Sequence, residues 1–198
     1  MKKLILLSCL LILYMSSSAQ KNYTVVYSLL TGAEFVNGKL TYDSKLQLSL
    51  HIYDDTLSFC RYGSYKAKMS KKVSVLSRDS HHGTLHHLKS DSILEVSTFI
   101  NKCLIKIGIV YNWKILNDTA TILGIKCIKA ESELGMTAWF APSKPVNAGP
   151  SIYYGLPGLI LKVVKKDRNN LFIAESIQNE VPFLDYPNNI KIIRSGKL

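Results

Sequence analysis

The chain has 198 residues, 47% of them hydrophobic, with 25 Lys and Arg against 14 Asp and Glu and a formal net charge of +11. That length and apolar content suit one domain with its own core, and exclude a disordered polyelectrolyte or a long repeat array. The basic excess is scattered, which suits solubility or attraction to an anionic surface (lipopolysaccharide, teichoic acid, acidic glycan), and no nucleic-acid-binding module is present.

The chain opens as an export leader. Lys2 and Lys3 make a positive start, Leu4 to Met15 is apolar except for Ser8, and Ser17 and Ala19 are the small residues before Gln20. The apolar run is about a dozen residues, against the roughly 20 of a membrane span. A lipoprotein box at Leu6-Leu7-Ser8-Cys9 would leave only about five apolar residues before the cysteine, so cleavage near Ala19-Gln20 without a lipid anchor is expected. Removing 19 of 198 residues leaves 179, and the loss of Lys2 and Lys3 lowers the net charge from +11 to +9. Residues 20–198 then form a single β-rich domain with no further transmembrane segment.

From there the dominant period is two. Lys45 to Tyr53 alternates cleanly, with Leu46, Leu48, Leu50 and Ile52 on one face. Comparable strands are expected at Tyr23–Leu30, Thr56–Tyr62, Lys72–Ser77, Ser92–Thr98, Leu104–Ile115, Thr119–Glu131, Met136–Phe140, Leu159–Lys165 and Leu171–Gln178. About ten strands at this spacing predict a mainly β fold, an antiparallel meander that is barrel-like or a strongly curved open sheet. Ser80 to Asp91 is the least β-like stretch, one short helix is expected near Val96–Lys102, and the tail after Pro182 is expected to be loosely attached.

Three cysteines remain after cleavage: Cys60, Cys103 and Cys127. If Asn117-Asp118 turns a hairpin, Cys127 faces Gly108 and stands roughly 17 Å from Cys103, too far for a disulfide. The other pairings and free buried thiols stay open. His81, His82, His86 and His87 form an HH-x3-HH cluster that could converge on Zn, Cu or Ni, although no acid or thiolate is fixed nearby. Catalytic patterns are weak. Asp79-Ser80-His81 has triad letters only in sequence, Ser64 lacks the second glycine of a nucleophile elbow, and Glu131 with Glu133 suit exposed charges better than an acid–base pair. Lys126 and Lys129 beside Cys127 are the one hint of a lowered thiol pKa.

Trp113 to Val164 is the most distinctive region: W-K-I-L-N-D-T-A-T-I-L-G-I-K-C-I-K-A, then T-A-W-F-A-P, then G-P-S-I-Y-Y-G-L-P-G-L-I-L-K-V-V. It resembles the GLPGLI family of exported Bacteroidetes proteins, in the hexapeptide Gly155 to Ile160 and in Trp113, Ile122, Gly124, Cys127, Lys129-Ala130, Ala138-Trp139, Pro142 and Gly149-Pro150. Ser151-Ile152-Tyr153-Tyr154 and the histidine-rich segment depart from the family pattern. The resemblance implies a Gram-negative envelope location, secreted or periplasmic, and a bowl-shaped β module of the kind attached to a secreted glycan-releasing enzyme. It implies no activity. Asp55-Thr56-Leu57, Asp91-Ser92-Ile93 and Asp118-Thr119-Ala120 are similar to the acceptor triplet of Bacteroidetes O-glycosylation.

The hexapeptide also has a physical reading. Pro157 and Gly158 suit the centre of a type II turn, with positive φ at Gly158, and Leu159, Ile160 and Leu161 begin a strand buried on both faces. The loop is then a rigid fold-back pinned by Leu156 and Leu159, or a ligand lip formed by Trp139, Tyr153, Tyr154, Gly155, Leu156, Pro157 and Gly158. Together these readings predict a non-catalytic envelope protein that binds a protein partner or an apolar or glycan ligand, with no catalytic residues and no cofactor. The alternative is metal handling by the histidine cluster, and a hydrolase is third.

Overall fold

The computed structural model describes residues 22–54, 57–62, 82–88, 92–97, 102–106, 110–165, 167, 169–182 and 191–194, and the period-two alternation of the chain is realised along nearly all of them. In chain order the strands are β1 (Tyr23–Thr31), β2 (Glu34–Val36), β3 (Lys39–Thr41), β4 (Ser44–Tyr53), β5 (Leu57–Tyr62), β6 (His82–His87) and β7 (Ser92–Ser97). They continue as β8 (Lys102–Lys106), β9 (Trp113–Ile122), β10 (Ile125–Ser132), β11 (Met136–Ala141), β12 (Leu159–Lys165), β13 (Asn170–Gln178) and β14 (Lys191–Arg194). Among the described residues there is no α-helix, and no helix is long and apolar enough to cross a membrane.

Twelve strands make one sheet, ordered β14-β8-β7-β6-β5-β4-β1-β13-β12-β11-β10-β9, while β2 and β3 pair separately. Two meanders, β4 to β8 and β9 to β13, are joined through β1, which lies between β4 and β13. All pairs in the sheet are antiparallel except β14 with β8. β14 and β9 end the order without pairing to each other, so the sheet is open.

Alternation supplies the core. Tyr23, Val25 and Tyr27 of β1 stand opposite Ile52, Leu50 and Leu48 of β4, and all six are buried. Burying one such side chain contributes about 1.5–3 kcal/mol relative to leaving it exposed. The other face of this pair carries Thr24, Ser28, Ser49 and His51, also buried, with Thr24 held by the carbonyl of Glu180.

The sheet curls into a bowl. His86 of β6 and Tyr111 just before β9 both pack on the ring of Tyr154, at centroid distances of 4.7 and 5.7 Å. β6 and β9 stand eight steps apart in the sheet order. On a flat sheet eight steps span about 38 Å. One tyrosine touches both only because the sheet wraps around it.

The structure corrects several sequence expectations. Asn117 and Asp118 lie inside β9, and the hairpin turns instead at Leu123-Gly124, both with positive φ (52° and 74°), as a two-residue type I′ turn requires. Cys127 therefore faces Ala120 rather than Gly108, and Cys60 and Cys127 are both free and buried. The expected strands Leu104–Ile115 and Thr119–Glu131 are redivided: residues 110–112 are irregular, and β9 runs through to Ile122. The stretch read as least β-like contains β6. Val96 and Ser97 belong to β7, and Lys102 to β8, where a helix was expected. The tail supplies β14, which pairs with β8. β2 and β3, too short to show alternation, form a hairpin through Asn37-Gly38. Lys72–Ser77, Ser64, Asp79-Ser80-His81 and the whole of the expected leader lie outside the described residues.

Candidate functional site

Residues 142–158 connect β11 to β12 and fold back across the concave face. The return is held by main-chain bonds: Leu159 N–H donates to Lys144 O and Ile160 N–H to Ala148 O, both at 2.9 Å. Tyr27 of β1 closes the far side, its hydroxyl donating to Ile160 O at 2.6 Å. Ser151 N–H donates to Cys60 Sγ at 3.0 Å, and Trp113 Nε1–H to Tyr154 O at 2.7 Å. The loop is thus tied to β5, β9 and β12.

Its glycines act through close approach more than through φ. A Cβ on Gly149 would sit 2.6 Å from Tyr153 O, and one on Gly158 2.4 Å from Ala141 O. Gly158 is not among the positive-φ residues, so the type II turn expected there does not form. Instead Gly158 N–H donates to Leu156 O at 2.8 Å, a three-residue γ-type turn centred on Pro157. Positive φ falls on Gly155 (92°), whose N–H donates to Asn147 Oδ1.

An aromatic cluster fills the bowl. Tyr111 packs on Trp113, Tyr153 and Tyr154 at centroid distances of 5.3 to 5.8 Å, and Tyr153 meets Phe172 edge-on at 5.3 Å. Tyr153 and Tyr154 are 8% and 6% exposed and Leu156 2%, while Gly155 and Pro157 reach the surface. Burial pushes the titratable groups here upward. Tyr23 and the Cys60 thiol rise to about 12, the latter slightly offset by the Ser151 N–H, and Tyr27 and Tyr111 rise further. All are neutral near pH 7, so this face holds no charged acid–base pair among the described residues.

The sequence-predicted ligand residues divide between two faces. Tyr153, Tyr154, Gly155, Leu156, Pro157 and Gly158 belong to the plug. Trp139 alternates with the buried Ala138 and Phe140 and stands on the outer face, between Lys129 of β10 and Lys162 of β12. Lys162 Nζ lies 4.7 Å from its ring centroid. Lys162 escaped the sequence reading, although a lysine inside the apolar run Leu159–Val164 is the signal that finds it.

Of the histidines, His86 is buried against Tyr154. His81 and the side chains of His82 and His87 lie outside the described residues, among which no three His, Cys, Asp or Glu groups could hold a metal ion. Glu131 pairs with Lys129 at 2.9 Å, whereas Glu133 accepts from Asn112 at 2.9 Å, so the two carboxylates have separate partners. Burial raises the Cys127 pKa, so the lowering hinted at by its lysine neighbours does not arise and the thiol is the inert strand cysteine that its setting suggests. Asp118 and Thr119 of the third acceptor-like triplet are exposed on β9.

A family model described as "Protein of unknown function (Porph_ging)" matches residues 51–162, more than half of the chain and a span that contains the hexapeptide. Comparison with curated proteins gives no match. Among solved structures the chain is similar to PNGF-II in its P21 and C2 forms, with TM-scores of 0.63 and 0.59 and identities of 18% and 16%. Each alignment covers 88% of this chain but 32% or 31% of PNGF-II, so the chain spans about a third of that protein's length. At such identity the likeness is one of fold. LolA superfamily protein NE2245 from Nitrosomonas europaea aligns at TM-score 0.34 and 8% identity, over 86% of this chain and 89% of its own, and carries no argument.

Proposed function

The chain belongs to the Porph_ging family, and from that premise we propose that it is an exported, non-catalytic binding module of the cell envelope that engages its partner from outside the bowl. One observation carries the reading: Tyr154 is packed by His86 of β6 and by Tyr111 just before β9, so the concavity where a curved sheet would hold a small ligand is filled by the protein's own loop. Ligand sites are concave and open before binding, and here the remaining recognition surface is the outer face and the sheet edges. The fold's likeness to about a third of the longer PNGF-II chain supports a modular role. The leader, with Lys2, Lys3 and the run to Met15, supports export.

Native mass spectrometry of the protein recovered from its own envelope tests this, alongside the denatured mass. A bound protein or glycan lost on denaturation is the expected result. A bare monomer, or a single metal ion as the only adduct, would contradict it.

A further inference from the structure

Eight large apolar side chains are well exposed among the described residues, and they are not scattered. The register puts four chain segments on one rim of the sheet: the β1–β4 connection, the β12–β13 turn, the β10–β11 turn and the start of β9. Thr31 pairs with Ser44, Leu30 with Leu171, Lys165 with Asn170 and Met136, and Ser132 with Trp113. Phe35, Val36, Tyr42 and Leu46 belong to the first segment and its strand β4, and Leu134 to the β10–β11 turn. Val110 and Ile115 lie either side of the start of β9. Of the eight, Leu123 alone sits at the opposite end, in the β9–β10 turn, which leaves 8 − 1 = 7 on one rim. Single exposed apolar residues are ordinary on a protein surface, whereas a rim that gathers nearly all of them marks an interaction site.

The β2–β3 hairpin pairs with no strand of the large sheet and is anchored at its base, where Ala33 N–H donates to Asn169 O at 2.7 Å and Asp43 N–H to Thr31 O at 2.8 Å. Phe35 opposes Leu40, and Tyr42 lies two residues beyond Leu40, so the three share one face of the ribbon. Phe35 is 74% exposed and Leu134 58%. A Cβ added to Gly38 at the hairpin tip, or to Gly135 beside Leu134, would meet nothing within 4 Å, so both tips stand clear of the molecule.

We propose that this rim rests on a lipid bilayer, with Phe35 and Leu134 entering the boundary between headgroups and acyl chains. Shape selects the partner. From β4 to β9 the rim runs over six steps of the sheet order, about 29 Å if flat. A second copy or another protein needs about 800 Å² of continuous surface on each side, which separate turn tips do not offer. The strand ends of a curled sheet lie close to one plane, and a bilayer meets separate tips in one plane. Charge is secondary. Lys39 and Lys114 are exposed here without a carboxylate partner among the described residues, whereas Lys45 pairs with Glu175 and Lys165 with Asp167. Glu34, Asp43 and Glu133 on the same rim offset the two free lysines, so apolar insertion dominates the binding. This surface is additional to the partner site of the binding-module reading and does not depend on it.

The test is flotation of the leader-free chain with vesicles of phosphatidylethanolamine and phosphatidylglycerol. The chain floats with the vesicles, and raising NaCl from about 0.1 M to about 0.5 M weakens the partition by less than about threefold. Phe35→Ser weakens it by about tenfold and Leu134→Ser by about threefold or more, Phe35→Leu retains it, and Leu123→Ser on the opposite rim changes it by less than about twofold. Melting curves for each variant confirm that the fold survives. A chain that stays in the soluble fraction, or that leaves the vesicles in salt, would overturn the proposal. So would Phe35→Ser floating like the wild type, or Leu123→Ser losing as much as Phe35→Ser. Sedimentation of the chain as a dimer that Phe35→Ser disperses would assign the rim to a second copy instead.

Discussion

Acid should loosen this protein through one histidine. His51 of β4 is 0% exposed, on the sheet face covered near Glu180. Its Nδ1 lies 2.8 Å from Thr24 Oγ1, whose own hydrogen goes to Glu180 O. Nδ1 must therefore carry the proton, and the ring is the neutral Nδ1–H tautomer. Burial first, and the Arg61 charge second, lower its pKa from 6.5 to about 4. A depressed histidine pKa means that the unfolded chain binds more protons between those values. The stability is complete above pH 6.5 and is lost as pH falls toward 4. At 1.36 kcal/mol per pKa unit, the loss is about 1.4 kcal/mol near pH 5.5 and about 3 kcal/mol near pH 4. His51→Asn keeps an N–H donor for Thr24 and cannot titrate. Urea denaturation of both proteins near pH 7.5, 5.5 and 4 should show the wild-type loss exceeding the variant's by those amounts. Parallel stability curves would refute the assignment of the acid sensitivity to His51.

Four further outcomes follow from the packing. Gly158→Ala should cost about 1–3 kcal/mol or more by overpacking against Ala141 O in urea unfolding. Gly135→Ala, at φ 74° with open space around it, should cost only about 1 kcal/mol of backbone strain. Tyr27→Phe strands the buried Ile160 carbonyl and should cost about 1–3 kcal/mol, read the same way. The Cys60 thiol, at a pKa of about 12, should resist a thiol-specific disulfide reagent near pH 8 in the native protein and react at once in urea. Only roughly one thiol in ten thousand is ionised there at that pKa.

Much of the sheet was legible because alternation is a local property. β1, β4, β11, β12 and β13 follow their sequence patterns to within a residue or so. What escaped was decided by partners. Asn117-Asp118 is the stronger turn signal in isolation, yet β9 runs through it, with its register against β10 shifting between Ile128 and Ala130, and turns at Leu123-Gly124. β6 carries Gly83 and several histidines, a poor strand by composition, but it is flanked on both sides by β5 and β7. Gly158 carried a turn reading from its place after proline, while its real requirement is close contact with Ala141, 158 − 141 = 17 residues away along the chain. The outer face was half visible: Trp139 stands out in the sequence, whereas the contact of Lys162 with its ring depends on the register of β12 against β11.

Residue-resolved hydrogen exchange of the loop amides tests the central claim, that residues 142–158 are the bowl's own filling rather than a movable lip. The amides of Ala148, Ser151 and Gly158, bonded to Val146, Cys60 and Leu156, should exchange as slowly as those in the middle of β12. Fast exchange of these amides, with β12 still protected, would show the loop lifting away and the concave face opening to a ligand.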